Sequence, residues 1–164
     1  MATVDKNQAI VDFLKTCLKI KNSPLFFNFG DVKDGANQAT IRSDDISLHR
    51  PYIDGSVLKR YTFTIDCFKS VAYNPVIEGA VGETIVNENV DEMNQVQEIL
   101  DWINEQGDNG IFPDFGDTCI IEKMETLTTK PDLVGVDTTL NPPMAVYRIS
   151  IQIDYIDNTK KIWN

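Results

Sequence analysis

The sequence predicts an α+β fold in which two helices pack on one face of an antiparallel β-sheet. Residues 57–67 and 145–155 alternate apolar and polar side chains with the period of a half-buried strand. Two other segments, 5–20 and 89–106, repeat apolar residues with the period of an amphipathic helix. The predicted strands and helices segregate along the chain, which favours an antiparallel sheet with helices on one side. The length of 164 residues suits a single domain spanning residues 1–164.

The first helix is predicted from Asp5 to about Ile20. Its apolar stripe consists of Ala9, Ile10, Phe13, Leu14, Cys17 and Leu18. Asp5 and Gln8 have the spacing of a capping box at its start. The apolar run Leu25–Phe29 that follows predicts a brief strand.

Residues 31–51 are predicted to form a mobile loop because they are polar and rich in Asp, Asn and Ser. Only Ala39–Ile41 suggests a short edge strand within it. His49, the only histidine, is expected at the surface, since no positioned partner for catalysis is evident.

The strand that follows has the clearest pattern in the first half of the chain. Its apolar parity comprises Val57, Tyr61, Phe63, Ile65 and Cys67, and its polar parity comprises Arg60, Thr62, Thr64 and Asp66. One buried face and one solvated face are therefore predicted. The same pattern returns in the C-terminal strand, where Ala145, Tyr147, Ile149, Ile151, Ile153 and Tyr155 share one parity.

Between these strands, residues 73–87 are predicted to be a loop or a long hairpin arm. The glycines at 79 and 82 do not make a phosphate loop, because the Gly-Lys-Ser/Thr ending is absent. The second helix is predicted from Asn89, as its N-terminal cap, to Gln106, with Gly107 as its stop. Its stripe is Met93, Val96, Ile99, Leu100 and Ile103.

The loop 111–117 contains two phenylalanines that either pin it to the sheet or contact a neighbouring subunit. Asp114 and Asp117 are too few oxygen ligands for a cation, so no metal site is predicted. A further strand is expected at Thr118–Thr128, followed by a long irregular connection, Thr129–Pro143, of the kind that is commonly interfacial.

Composition narrows the possible functions. The net charge of −10 and pI near 4.4 disfavour binding to nucleic acid, because such binding depends on Lys and Arg that neutralise phosphates. The three cysteines are expected to be buried free thiols. No nucleophile elbow or metalloprotease motif is present, so we expect neither an enzyme nor a cofactor. The absence of a signal peptide and of a membrane-length apolar run predicts synthesis inside the cell without membrane association.

Five stretches resemble the minor capsid proteins of tailed phages and prophages of Gram-positive bacteria. They are DKNQAIVDFL at 5–14, PLFFNF at 24–29, PYIDGSVLKRY at 51–61, ILDWINEQ at 99–106 and SIQIDY at 150–155. The order helix, strands, helix, strands is also similar to that of the tail-terminator and head-to-tail joining proteins of long-tailed phages, an analogy of fold.

The resemblance implies a structural virion protein of the tail or neck, made in the cytoplasm of the bacterial host. It implies a homo-oligomer, a hexameric ring that caps the tail tube and lets DNA pass through its channel without specific binding. The partners would be the tail tube protein and a head-completion or connector protein. The residues expected at subunit interfaces are Phe112, Phe115, Pro142, Pro143 and Trp163. The alternative is an acidic accessory binding protein, for example one that imitates the charge of DNA.

Overall fold

A computed structural model describes residues 4–20, 25–27, 38–70, 80–140 and 143–162. Two helices and six strands follow one another along these residues. They are α1 (Lys6–Leu14), β1 (Leu25–Phe27), β2 (Gln38–Pro51), β3 (Val57–Ser70), α2 (Ala80–Asp108), β4 (Cys119–Thr126), β5 (Asp132–Asp137) and β6 (Met144–Asp157). The predicted α+β class is confirmed.

The strands form one sheet with β3 and β6 at its centre. Its order is β1-β2-β3-β6-β4, and β5 pairs with the part of β6 that β4 leaves uncovered. The pairings are antiparallel except for the short parallel pair β1–β2. The two strands that the sequence predicts most clearly are therefore direct neighbours, with Phe63 opposite Ile151.

The core lies on the face of the sheet that carries the predicted apolar parity of β3 and β6. Phe63, Ile149 and Ile151 are at most 1% exposed, which confirms the direction of both strands. Tyr61 on this face donates a hydrogen bond from its hydroxyl to Asn7 of α1. Asn104 of α2 is bonded to both the hydroxyl and the backbone N–H of Thr126 on β4 (2.8 and 3.0 Å). Side chains of both helices and of the sheet thus share one hydrophobic cluster.

The opposite face of the sheet is polar and laced with ion pairs. Arg148 holds Asp66 with two guanidinium nitrogens (2.8 and 3.1 Å), and Arg60 holds Asp154 in the same way (2.8 and 3.2 Å). Arg42 also approaches Asp66 at 3.3 Å. Because of this crowding Asp66 is only 8% exposed, so the predicted solvated face is less open than its polarity suggests.

The prediction of a loop over residues 31–51 is wrong from Gln38 onward, because the short strand suggested at Ala39–Ile41 is part of β2, which runs for fourteen residues from Gln38 to Pro51. Its pairing with β3 shifts register between Ser43 and Asp45 and again between Leu48 and Arg50. The first shift moves the helix-side parity from Ile41 to Ile46, which hides the alternation from a sequence pattern. Residues 31–37 lie outside the described part of the chain.

The second helix is longer than predicted, since α2 begins at Ala80 and passes through Asn89, which is not a cap. The predicted arm 73–87 is therefore helical from residue 80, and residues 73–79 lie outside the described residues. At the other end, Gly110 with φ 69° supplies the left-handed terminus instead of Gly107. The N–H groups of Ile111 and Gly110 bond back to Gln106 and Gly107 (2.9 and 3.2 Å), as in a Schellman motif.

The first helix is shorter than predicted and ends at Leu14, with turns continuing to Ile20. Asp5 is its N-cap and accepts from the N–H groups of Asn7 and Gln8 (2.9 and 3.3 Å). The predicted capping box is incomplete, because the Gln8 side chain donates to Asp12 at 2.8 Å.

The connection predicted over 129–143 contains the strand β5, so its irregular character is wrong in part. β4 and β5 run in the same direction along β6, with an excursion at residues 127–131 between them. A register shift between Ile121 and Lys123 explains why the two adjacent isoleucines obscure the parity of β4.

The cysteines are free thiols, as predicted. Cys17 and Cys67 are buried and Cys119 is half-buried, so its exposure exceeds the expectation. Complete burial raises the pKa of Cys67 to about 12, which keeps it protonated and unreactive. Among the described residues, no helix has the length and apolar character needed to cross a bilayer.

Candidate assembly surfaces

Of the residues predicted at subunit interfaces, Phe115 lies in the core. It is 3% exposed, and its ring centroid is 5.8 Å from that of Tyr61 and 5.3 Å from that of Tyr155. Lys6 of α1 lies over the same ring at 5.9 Å. Of the two alternatives, the ring contacts of Phe115 match the one in which it holds the loop against the sheet.

The other predicted interface residues are placed differently. Phe112 is half-buried in a groove of about 500 Å³ between α1 and the loop after α2. Pro143 is also half-buried, immediately before β6. Pro142 and Trp163 lie outside the described residues, so their interface role stays a prediction.

The structure instead exposes apolar side chains along the outer edge of β5. Leu133 is 58% exposed, Val134 49% and Val136 45%. β5 pairs with β6 on one side, and no described residue pairs with its other side. Unpaired backbone groups beside apolar side chains are a template for another strand, which soluble proteins normally protect with charges or prolines.

A second edge of this kind lies on the far side of the sheet, along β2. β1 covers β2 only at Ala39–Ile41, so in the described part of the chain residues 42–51 have a partner on the β3 side alone. Ile46 is 45% exposed and Leu48 67%. Within the described residues, the sheet therefore has open apolar stretches on both of its sides, along β5 and along β2, and they differ in sequence.

A groove of about 610 Å³ lies at the end of the sheet beside the turn that joins β2 and β3. Its apolar wall includes Ile53 and Ile120, which are 91% and 54% exposed, and its rim carries Arg50 and Lys161. The exposed apolar surface thus extends from the β2 edge to the end of the sheet at the turn between β2 and β3.

The C-terminal segment fixes the shape of this corner. Ile162 donates its backbone N–H to the Asp54 carbonyl (2.6 Å), and Asp54 bonds the N–H and hydroxyl of Ser56 (3.0 and 2.6 Å). The bonds from Ser56 lower the pKa of Asp54. Gly55 has φ 86°, and a Cβ there would lie 2.3 Å from the Lys160 carbonyl oxygen, so this turn requires glycine.

Asp157 connects the same segment to β3, and its pKa is lowered to about 2. Burial alone would raise this pKa, but hydrogen bonds to the carboxylate from Lys59 (2.8 Å) and from the hydroxyl and N–H of Thr159 outweigh it. The charged carboxylate therefore stabilises the folded state.

We expect this contribution to be complete above the ordinary Asp pKa of 3.8 and to disappear as the pH falls to about 2. Thermal unfolding followed by circular dichroism between pH 6 and 2 should show a shallower acid decline for Asp157→Asn than for the wild type. Lys59→Met, which removes the main donor, should reduce the slope in the same direction. Identical acid slopes for all three proteins would contradict this assignment.

The negative charge is concentrated in one part of the chain. Residues 70–122 contain twelve Asp and Glu and no Lys or Arg, and the remaining residues contain 13 acidic and 15 basic side chains. On α2 the exposed carboxylates of Asp91, Asp101, Glu105 and Asp108 recur at helical spacing. This helix therefore carries acidic side chains with no Lys or Arg between them. Within the described residues, no group of three or more His, Cys, Asp or Glu is arranged to hold a metal ion.

Two comparisons with known proteins, one with family models and one with curated sequences, give no match for this chain. The surfaces above therefore rest on geometry and charge.

Sequence reasoning missed both open edges, which it predicted as loops. The signals present are the run Leu133-Val134 with Val136 after a glycine, and the alternation of Ile46 with Leu48. Each is short, and each stands beside a register shift that breaks the period.

Proposed function

We propose that this chain is a structural subunit of a phage virion, the tail terminator or head-to-tail joining subunit that caps the tail tube as a ring. The observation that carries the proposal is the pair of open, apolar and non-identical edges on a single sheet. Two different surfaces that complement each other make a head-to-tail contact, and such contacts close into rings when the rotation permits. The resemblance of the five sequence stretches to phage minor capsid proteins supports the same function.

The proposed ring places the tail tube protein on one side and a head-completion or connector protein on the other. DNA passes through its channel without specific binding. The polar face of the sheet suits such a wall, because Arg148 and Arg60 are each paired with an aspartate, Asp66 and Asp154, which reduces their attraction for phosphates. Carboxylates on α2 would repel DNA wherever they approach it.

The native mass of the purified protein tests the assembly step. We expect an oligomer of about six times the chain mass of 18.5 kDa by light scattering coupled to size exclusion, at micromolar concentrations. A second measurement after dilution shows whether the ring dissociates into monomers. A single monomeric mass over the whole concentration range would contradict the proposal.

The second candidate is an acidic accessory binding protein that imitates the charge of DNA. The observation in its favour is the stretch 70–122, whose twelve carboxylates have no Lys or Arg among them. This function requires the protein to compete with duplex DNA for a basic DNA-binding protein. Fluorescence-detected displacement of DNA at equimolar protein would support it, and binding of DNA unchanged by excess protein would exclude it.

A further inference from the structure

We infer that the protomers join by backbone pairing, with the outer edge of β5 in one copy against the outer edge of β2 in the next, so that the sheet continues across the interface. This inference rests on the proposed ring and names the contact that builds it. Each protomer would then use both of its open edges, β5 against one neighbouring copy and β2 against the other.

The first support is that the two edges lack partners in the residues the structure describes. Along β5 the side chains from Asp132 to Val136 are exposed, as are those from Ile46 to Arg50 along β2. Backbone N–H and C=O groups at such edges are strong hydrogen-bonding groups that water alone satisfies in a monomer. A strand of a second copy satisfies them and also covers the apolar side chains.

The second support is the match of side chains when the two edges run antiparallel. With Asp132 opposite Arg50, Val134 lies opposite Leu48 and Val136 opposite Ile46. One opposite-charge pair and two apolar pairs are favourable cross-strand neighbours, each worth roughly 0.2–1 kcal/mol in known sheets. The strand pairing ends at Val136, because the next position would place Asp137 opposite Asp45.

The third support is that the paired apolar residues of β2 and β5 lie on the same face of the sheet. Ile46 is opposite Tyr61, Leu48 is opposite Lys59 and Val136 is opposite Ala145, and all of these lie on the helix side of the sheet. A continuous sheet built in this way keeps the helices of every copy on one side and the polar faces on the other. That arrangement is what a ring with a uniform wall requires.

The charges also disfavour the simplest rival, in which β5 pairs with β5 of a second copy about a two-fold axis. The antiparallel register that pairs all six residues of β5 places Asp132 opposite Asp137, and like charges directly opposite are destabilising. It would also leave both β2 edges open and stop at a dimer. The contact between β5 and β2 avoids both results.

Disulfide trapping tests the inference. Facing residues of an antiparallel pair have Cα atoms about 4.5–5.5 Å apart, within the range of a disulfide. Asp132→Cys and Arg50→Cys are introduced together into a Cys119→Ser background, since Cys17 and Cys67 are buried. On mild oxidation we expect a covalent ladder up to the hexamer on a non-reducing gel. Each single variant should give no covalent product.

The control pairs Asp132→Cys with Asn109→Cys, an exposed position beyond the end of α2, and should give no ladder. A charge swap provides a second readout. Asp132→Arg alone and Arg50→Asp alone should each lower the oligomer fraction at a fixed concentration, and the double variant should restore it. Both positions are exposed, so the fold of each variant should be retained and is checked by circular dichroism.

The outcomes separate this inference from the proposed function. A hexamer that gives no covalent oligomers on oxidation, and that the double charge swap does not restore, would overturn the edge pairing. The proposed ring would then stand with a different contact between its subunits. A covalent dimer from a variant that carries both Asp132→Cys and Asp137→Cys, the positions that face each other in that rival, would replace it with pairing of β5 to β5. A protein that stays monomeric would overturn both.

Discussion

Ile151→Asp should destabilise the protein by about 4–5 kcal/mol or more, which is close to the whole stability of a marginal single domain. Ile151 is fully buried on β6, between Phe63 on β3 and Thr126 on β4. The substitution removes apolar contacts and places a carboxylate where no described partner can neutralise it, and an isolated buried charge is among the costliest changes a core can receive. We expect loss of the cooperative unfolding transition in urea at 25 °C.

The matched control places the same residue at the next position. Gln152 lies on the polar face beside Arg60, so Gln152→Asp puts the new carboxylate near a guanidinium. Its cost should stay within about 1 kcal/mol, as for most surface changes. Equal destabilisation by the two substitutions would mean that β6 is buried on both faces and that the assignment of its faces is wrong.

Gly107→Ala should lower the free energy of unfolding by about 1–3 kcal/mol, although alanine is normally the better helix former by about 1 kcal/mol. Gly107 packs α2 against β4, and a Cβ there would lie 2.3 Å from the backbone oxygen of Met124. A carbonyl of a paired strand cannot rotate away as a side chain can. The helix must therefore lift from the sheet, which also strains the bonds between Asn104 and Thr126.

Gly135→Ala is the control for this second prediction. Nothing lies within 4 Å of a Cβ at Gly135, and its φ is not in the left-handed region. The change should be neutral or stabilise by up to about 1 kcal/mol through the unfolded state. Urea unfolding of the two variants at the same protein concentration shows whether each substitution raises or lowers the free energy of unfolding. A stabilising Gly107→Ala would show that α2 does not approach β4 as closely as described.

The sequence predicted the centre of the fold because β3 and β6 are long and regular, and because one face of each is fully buried. Fourteen residues of each strand pair without a register shift, so the period of two survives along their whole length. The helix stripes around Ile10 and Val96 were predicted for the same reason, since one face of each helix must enter the core.

The edges could not be predicted because their patterns are broken or weak. β2 changes parity at its register shifts, and β5 is short with a glycine inside it. The beginning of α2 has Gly82 and the β-branched residues Thr84, Ile85 and Val86, whose low helix propensity hides the start of the helix from a sequence pattern. For Phe115 the two alternatives stayed open, because sequence does not show that the loop after α2 folds back onto Tyr61 and Tyr155.

The function we propose for this chain is to close the end of a phage tail tube as a ring. Deletion of its gene from the parent phage or prophage, followed by negative-stain electron microscopy of the particles, measures this most directly through tail length and attachment. We predict overlong tubes, or tails of normal length that are detached from filled heads, with both restored by the wild-type gene. Tails of normal length attached to heads in the deletion strain would contradict the claim.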